Sequence, residues 1–341
     1  MINTPKNKII VDTLGADLGI AEVVRGVLCA LETSGKSRDF TIILVGKEKV
    51  IKEEITKETQ EECRFKNIDN KIEIVNVEKE ISNYDSPIAI LRDKKDCSMA
   101  VALQLLSSDS YSTALVSCGS TGALLVGSSI IVGKEDGLDR LSLAAMLPTF
   151  NDIGKVLFLD CGANVDCKQE YLVQFAKIGS SYVRNLLGID KPKVGLLNVG
   201  TEPGKGNLLA KNAYDMLGKS DINFVGNIEA RDVLKGSCDV VVCDGFWGNI
   251  FIKTIEGMSD FVREKMSLDR TITCGMTDNL DSLDRFINYS NYSHGGAILL
   301  GAKKPIYKSH GNSNSQTIKQ TILQAMYNNT TYNNKLLSEQ R

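Results

Sequence analysis

Histidine and tryptophan are nearly absent from this chain, which holds two histidines, His294 and His310, and one tryptophan, Trp247, among 341 residues. Two distant imidazoles, and carboxylates without ligand spacing, offer no metal cluster, so no metal and no cofactor are expected. No Gly-x-Ser-x-Gly elbow and no Cys-His pairing supplies a protein nucleophile. Aromatic content is only 6%, and 40 basic residues against 42 acidic ones leave a net charge of −2. Such a balance creates no field that would gather nucleic acid. The longest apolar stretch, Ala123 to Val132, is interrupted by Gly127, Ser128 and Ser129, far short of the roughly 20 residues that span a bilayer. The nine cysteines are odd in number and lack Cys-x-x-Cys spacing, and the opening Met1-Ile-Asn-Thr-Pro-Lys-Asn has no apolar signal core. A reduced, cytoplasmic protein is expected. A hydrophobic content of 43% suffices for a large core, built as one α/β domain or as two lobes.

What is present is one repeated unit: strand, glycine loop, helix. Lys8 to Asp12 predicts a buried strand, followed by the loop Thr13 to Gly19 and an apolar-periodic helix from Ile20 to Leu31. Further strands are predicted at Thr41–Gly46, Lys71–Val77, Thr113–Cys118 and Val156–Asp160, with helices near Ala123 and from Lys168 to Leu187. Asp85-Ser-Pro87 is a helix-start signal, and a single helix is expected from there to Leu106, carrying the cations Arg92, Lys94 and Lys95. Apolar strands alternating with helices imply a mainly parallel sheet covered on both faces. A helical, polar excursion is expected over 255–293, then a last strand and helix, with one α/β/α domain over 1–327 and a polar tail over 328–341.

Three strand-to-loop junctions stand out: Val194-Gly-Leu-Leu-Asn-Val-Gly-Thr-Glu-Pro-Gly-Lys-Gly-Asn207, Asn223-Phe-Val-Gly-Asn-Ile-Glu-Ala-Arg-Asp232 and Asp239-Val-Val-Val-Cys-Asp-Gly-Phe-Trp-Gly-Asn249. Glycine loops at one sheet edge let backbone amides and helix N-termini face an anion, so these predict a phosphate site. A Walker A loop is excluded because Lys205 is followed by Gly206 rather than Ser or Thr. The nearest dinucleotide fingerprint, Gly204 to Leu209, ends on Leu where Gly or Ala is required, which disfavours a nicotinamide dehydrogenase. The remaining chemistry is one in which a bound phosphate is itself the reactant.

Several runs then resemble one family. Asp160-Cys-Gly-Ala-Asn-Val-Asp-Cys-Lys168, Gly195 to Glu202, Lys205-Gly-Asn207, Gly226 to Asp232 and Asp244-Gly-Phe-Trp-Gly-Asn249 are similar to motifs of the PlsX-type phosphate acyltransferases. So are Leu91 to Met99, Gly119-Ser-Thr-Gly-Ala-Leu124, Leu147-Pro-Thr149, Gly295-Gly296 and His310-Gly311, in family order from residue 8 to about 326. The resemblance implies transfer of a fatty acyl group from acyl carrier protein to inorganic phosphate, for phospholipid synthesis, by a homodimer of three-layer α/β/α fold like that of isocitrate dehydrogenase. A downstream glycerol-3-phosphate acyltransferase is an implied partner. It gives catalytic importance to the positions of Lys205 and Asn249. Lys205 suits a compact charge that orients phosphate, and the Asn249 amide suits a donor to the developing oxyanion.

The candidate substrate-binding residues are Asp12, Gly15, Asp17, Gly119, Ser120, Thr121, Gly122, Asn164, Asp166, Lys168, Gly204, Gly206, Asn207, Asn227, Glu229, Arg231, Asp244, Gly245, Gly248 and His310. Plainer roles compete: Asn249 as a helix cap, Arg231 as an ion-pair partner of Glu229 and Asp232, His310 as a structural side chain, and Cys97, Cys118 and Cys243 as small buried residues. Trp247 either walls an acyl channel or packs. Arg92, Lys94 and Lys95 are either a solvated face or a dock for an acidic carrier protein. The first loop, Asp12 to Ile20, departs from the family pattern, with Ala16 in place of a glycine, and Gly119-Ser120 replaces Gly-Asn. The charged Leu268 to Phe286 segment predicts at most weak peripheral membrane contact. Short-chain acyl transfer and a non-catalytic carrier-protein scaffold are the alternatives.

Overall fold

Apolar strands and amphipathic helices alternate through the computed structural model, which describes residues 7–34, 40–62, 65, 71–109, 112–151, 153–268, 286 and 295–339. In chain order the elements are β1 (Asn7–Asp12), α1 (Ile20–Ser34), β2 (Phe40–Gly46), α2 (Glu48–Glu61), β3 (Ile72–Asn76), α3 (Ser98–Ser108), β4 (Ser112–Ser117) and α4 (Thr121–Gly127). There follow β5 (Ser142–Pro148), β6 (Lys155–Leu159), α5 (Gln169–Leu187), β7 (Lys193–Asn198), α6 (Leu208–Gly218), β8 (Asn223–Glu229), α7 (Ala230–Val233), β9 (Val240–Val242) and α8 (Gly245–Leu268). The last are β10 (Ala297–Leu300), β11 (Ile306–Lys308) and α9 (Ser315–Glu339).

These form two compact units, Met1–Leu141 with Gly295–Arg341, and Ser142–His294. In the first, the strands lie in the order β3-β2-β1-β4-β11-β10, parallel except for the antiparallel β10–β11 pair. Every residue of β2 is buried, as expected of a strand covered on both faces. Helix α1 turns Val23, Val24, Val27, Leu28 and Leu31 inward at helical spacing. It approaches α9 so closely that a Cβ on Gly26 would lie 2.8 Å from Ile318.

In the second unit the order is β5-β6-β9-β7-β8, parallel except for β5–β6. Val156, Leu157, Phe158 and Leu159 of β6 are buried, as are Val240, Val241 and Val242 of β9. Helix α5 buries Leu172, Val173, Phe175, Ala176 and Val183 and stops at Gly188, whose φ of +72° is the left-handed C-terminal conformation.

Four features differ from the sequence expectation. The helix expected from Asp85 to Leu106 is a 3-10 turn over Pro87–Leu91 and then α3. Between them the Lys94 ammonium reaches back to Asp85 at 2.7 Å and to the Glu80 carbonyl at 3.2 Å, and the Ser98 amide bonds Lys79 O rather than a helical carbonyl. Arg92, Lys94 and Lys95 thus occupy a turn rather than a helix face. Strand β5 has no counterpart in the expected elements, since a short apolar run bears no period that separates strand from helix. The last strand is a hairpin, and the polar segment expected as a tail from Asn328 is helical to Glu339. The helical excursion is borne by α8 up to Leu268; the charged segment beyond it to Phe286 lies outside the described residues, Phe286 excepted.

Candidate active site

Because β6, β9, β7 and β8 run parallel, their carboxyl ends open on one edge, and the loops singled out by sequence gather there. The edge is organised by Asp160, which follows β6 and is fully buried. Its Oδ1 accepts from the backbone amides of Leu143 at 3.1 Å, Gly162 at 3.3 Å and Ala163 at 3.0 Å. Its Oδ2 accepts from the Asn164 amide at 2.6 Å and from Asn164 Nδ2 at 2.8 Å. Burial pushes the Asp160 carboxyl above its ordinary range, against the pull of these donors. Asn164 O in turn accepts from Gly245 N at 2.8 Å, so the loop after β6 is tied to the start of α8.

Helix α8 begins at Gly245, and its cap is Asp244, whose Oδ1 accepts from Trp247 N at 3.0 Å. The capping role considered for Asn249 therefore belongs to Asp244, and Asn249 is the fifth helical residue. A Cβ at Gly248 would collide with Asp160 O, and one at Gly245 would lie 2.7 Å from Asn164 O. Both glycines are close-approach positions that let α8 seat on the loop. Gly162, with φ +126°, leaves room for Asn249, whose Oδ1 would lie 3.4 Å from a Cβ there.

The loop after β7 carries Lys205, whose side chain is 53% exposed and lies 3.9 Å from Glu202 Oε1. Asn207 caps α6, accepting from Ala210 N at 2.8 Å. After β8, Arg231 is 75% exposed and pairs with Glu229 at 2.8 Å and Asp232 at 3.9 Å. Asn227 is buried and donates to Glu202 O at 2.8 Å. Asp166 and Lys168 are exposed, and Lys168 precedes α5.

Beside these loops is an apolar groove of about 840 Å³, within the range of roughly 300–1,000 Å³ usual for small-molecule sites. Burial divides it into a floor and a mouth. Cys243, Leu172 and Leu196 are nearly inaccessible, and half-buried Phe251 stacks on the fully buried Phe158 with ring centroids 4.8 Å apart. Val199, Trp247, Ile250 and Arg231 are exposed, and Gly206, Asn207, Glu229 and Asp244 also line the groove. Trp247 thus walls the groove. Asn164, Asn227, Gly245 and Gly248 build its supports, whereas Gly204, Asp166, Lys168 and the two expected catalytic residues do not line it: Lys205 and Asn249 are exposed and sit next in sequence to the lining residues Gly206 and Ile250. Leu172, Leu209, Ile250 and Phe251 carry no sequence signal beyond helical periodicity, and Asn198 and Asp160 were visible only as motif members.

In the other unit a second set of predicted residues meets at the ends of β1, β4 and β11. Asp12 is buried and accepts from Ser98 Oγ at 2.6 Å, Ser117 Oγ at 2.8 Å and Leu14 N at 3.4 Å. Burial raises its carboxyl to about 6. Gly15 abuts Gly119, where a Cβ would lie 3.0 Å from the Gly119 Cα, and the Asp17 amide donates to Gly311 O at 2.7 Å. Ser120 precedes α4, which starts at Thr121 rather than near Ala123, and Gly122 sits against Pro87. His310 is exposed. Ser98 and Ser117, which hold Asp12, lie outside the candidate residues of the sequence.

Cys97, Cys118 and Cys243 are buried free thiols, and burial raises Cys118 to about 11. Among the described residues no three of His, Cys, Asp and Glu assemble as a metal cluster, and no described helix is long and apolar enough to cross a membrane.

The fold is that of the phosphotransacylases. A phosphotransacetylase from Staphylococcus aureus superposes with a TM-score of 0.60 at 16% identity, covering 96% of this chain and 95% of that one. A branched-chain phosphotransacylase from Enterococcus faecalis gives 0.57 at 16%, covering 94% and 98%. At such identities the likeness shows architecture alone. Sequence is more specific: the model of a family described as "Fatty acid synthesis protein" matches residues 7–333. A phosphate acyltransferase of Bacillus cereus is 41% identical over 324 residues, 93% of each chain. That of Caldanaerobacter subterraneus is 38% identical over 323 residues, covering 93% of this chain and 92% of its own. The chain belongs to this family of fatty acid synthesis proteins, the PlsX-type phosphate acyltransferases.

Proposed function

We propose that this protein transfers a long-chain fatty acyl group from acyl carrier protein to inorganic phosphate, giving acyl phosphate and free carrier protein for phospholipid synthesis. The observation that carries the reading is an 840 Å³ apolar groove whose mouth is formed by the Gly206-Asn207 loop end and the first turns of α8. A phosphate oxygen attacks the thioester carbonyl, the carbon–sulfur bond breaks, and the proton of hydrogen phosphate passes to the departing thiolate. Phosphate is anionic at neutral pH and a thiolate leaves readily, so the protein's work is positioning and electrostatics. Lys205 holds the phosphate, and the Asn249 amide, beside Gly162, donates to the thioester oxygen as charge develops there. Arg231 and the α6 N-terminus add positive potential at the same mouth.

The groove favours a long chain over acetyl. Each buried methylene contributes about 0.8 kcal/mol, so about fifteen give on the order of 10 kcal/mol, which an acetyl group cannot use. The same reading includes a homodimer, a cytoplasmic location with at most weak contact at the inner membrane face, and delivery of acyl phosphate to a glycerol-3-phosphate acyltransferase.

The test is phosphate-dependent release of thiol from palmitoyl-acyl carrier protein, run beside palmitoyl- and acetyl-coenzyme A with Lys205→Ala and Asn249→Ala. Turnover with the palmitoyl carrier, reduced sharply but still measurable in both variants, is expected. Full turnover in folded variants removes these two residues from the mechanism, and carrier binding without turnover by the wild type leaves a scaffold.

A further inference from the structure

We infer that Asn198 is a positioning residue, which sets the Lys205 ammonium over the phosphate through the backbone of the loop. This rests on the proposed role of Lys205. That side chain is not fixed by its own partner: it is half exposed, and its nearest carboxylate oxygen is 3.9 Å away, a geometry that holds a flexible lysine poorly in water. What the structure does fix is the main chain from which the side chain starts.

Asn198 ends β7 and spans the loop from its first residue to Lys205. Its Oδ1 accepts from Val199 N at 2.8 Å, and its Nδ2 donates to Lys205 O at 3.1 Å. The amide orientation is unambiguous, since the reverse would set donor on donor and acceptor on acceptor. Gly206, with φ +94°, makes the arrangement possible, because a Cβ there would fall on the Asn198 amide. A second anchor holds the same loop: Lys205 N donates to Glu202 O at 3.1 Å, and Glu202 O also accepts from Asn227 Nδ2 at 2.8 Å. Asn227 belongs to β8, the neighbour of β7, with Leu196 opposite Asn227 in register. Both amides thus tie the loop to the parallel sheet. Of the two, Asn198 acts directly on the residue that bears the charge.

The test is a double-mutant cycle of Asn198→Ala and Lys205→Ala, assayed on palmitoyl-acyl carrier protein with phosphate and donor varied in turn. Loss of one positioning hydrogen bond predicts a phosphate KM raised roughly tenfold in Asn198→Ala, with a smaller change in the donor KM, because Asn198 also lines the groove, and no further loss of phosphate affinity in the double variant beyond Lys205→Ala alone. Equal change in both KM values, or an effect that adds to that of Lys205→Ala, overturns the inference while leaving the role of Lys205 intact. If Lys205→Ala itself keeps normal phosphate kinetics, the role of Lys205 fails and the inference with it. Should Asn198→Ala not fold, Asn198→Gln, which keeps the amide but moves it by one methylene, carries the same comparison.

Discussion

Two buried aspartates, each at the end of a parallel strand, should respond to the same substitution in opposite ways. Asp160 faces five donors, four of them backbone amides, divided between its two oxygens. A backbone N–H cannot reverse its polarity. In Asp160→Asn the new NH2 must therefore face either the three donors at Oδ1 or the two at Oδ2. At Oδ2 the Asn164 side-chain amide can turn its oxygen toward the new NH2, so the smaller loss is the one backbone bond from Asn164 to a charged group, about 1.5–3 kcal/mol. That is a readily measured part of the about 5–15 kcal/mol that holds a domain folded. Asp12 instead meets a backbone amide only at Oδ1, from Leu14 at 3.4 Å, while its Oδ2 faces the Ser117 hydroxyl, which can rotate to accept from an amide.

Asp12→Asn should be tolerated at neutral pH, and the pH dependence carries the sign. The folded carboxyl, at about 6, lies above its ordinary value of 3.8, so the folded state binds more protons between those limits. The stability contributed by Asp12 is present below about pH 4 and is lost as pH rises through about 6, a difference on the order of 3 kcal/mol for a shift of about two pH units. Relative to wild type, Asp12→Asn should gain that amount between pH 4 and pH 7.5, as measured by urea denaturation at each pH. A wild-type-like Asp160→Asn, or an Asp12→Asn difference that is constant with pH, would refute the reasoning.

Other outcomes follow from the same geometry. Asp244→Ala should destabilise the start of α8 by about 1 kcal/mol, the usual loss for a cap, seen as a lower thermal midpoint. Phe251→Ala, which removes one ring of the stack on the groove floor, should weaken palmitoyl donors by roughly tenfold in KM, equivalent to about two methylenes, and leave acetyl donors unchanged. Charge reversal at the exposed Arg92 and Lys95 should raise KM for the carrier-protein donor but not for palmitoyl-coenzyme A, with an effect that shrinks in high salt. Lys94, engaged with Asp85, should contribute less to that docking.

Local pattern was enough to locate β1, β2, β4, β6 and α1 within a few residues, because apolar runs and 3.6-residue spacing follow directly from burial on one or both sides. The loops of the candidate site were legible for the same reason: glycine, asparagine and charge after a buried strand mark a chain that leaves a sheet edge. What no local pattern carries is which ends become neighbours. The order β6-β9-β7-β8 is not the chain order, and it alone brings the loops after residues 159, 198, 229 and 242 to one edge and lets α5, α6 and α8 wall a common groove. The break at residues 92–97 likewise depends on Lys94 reaching back to Asp85 and Glu80, contacts set by how the chain returns. By itself the sequence determined the units of the fold and the chemistry at their ends. Tertiary structure decided the groove, the cap at Asp244 and the clamp at Asn198, because each depends on groups that only the packed sheet brings within hydrogen-bonding or van der Waals reach.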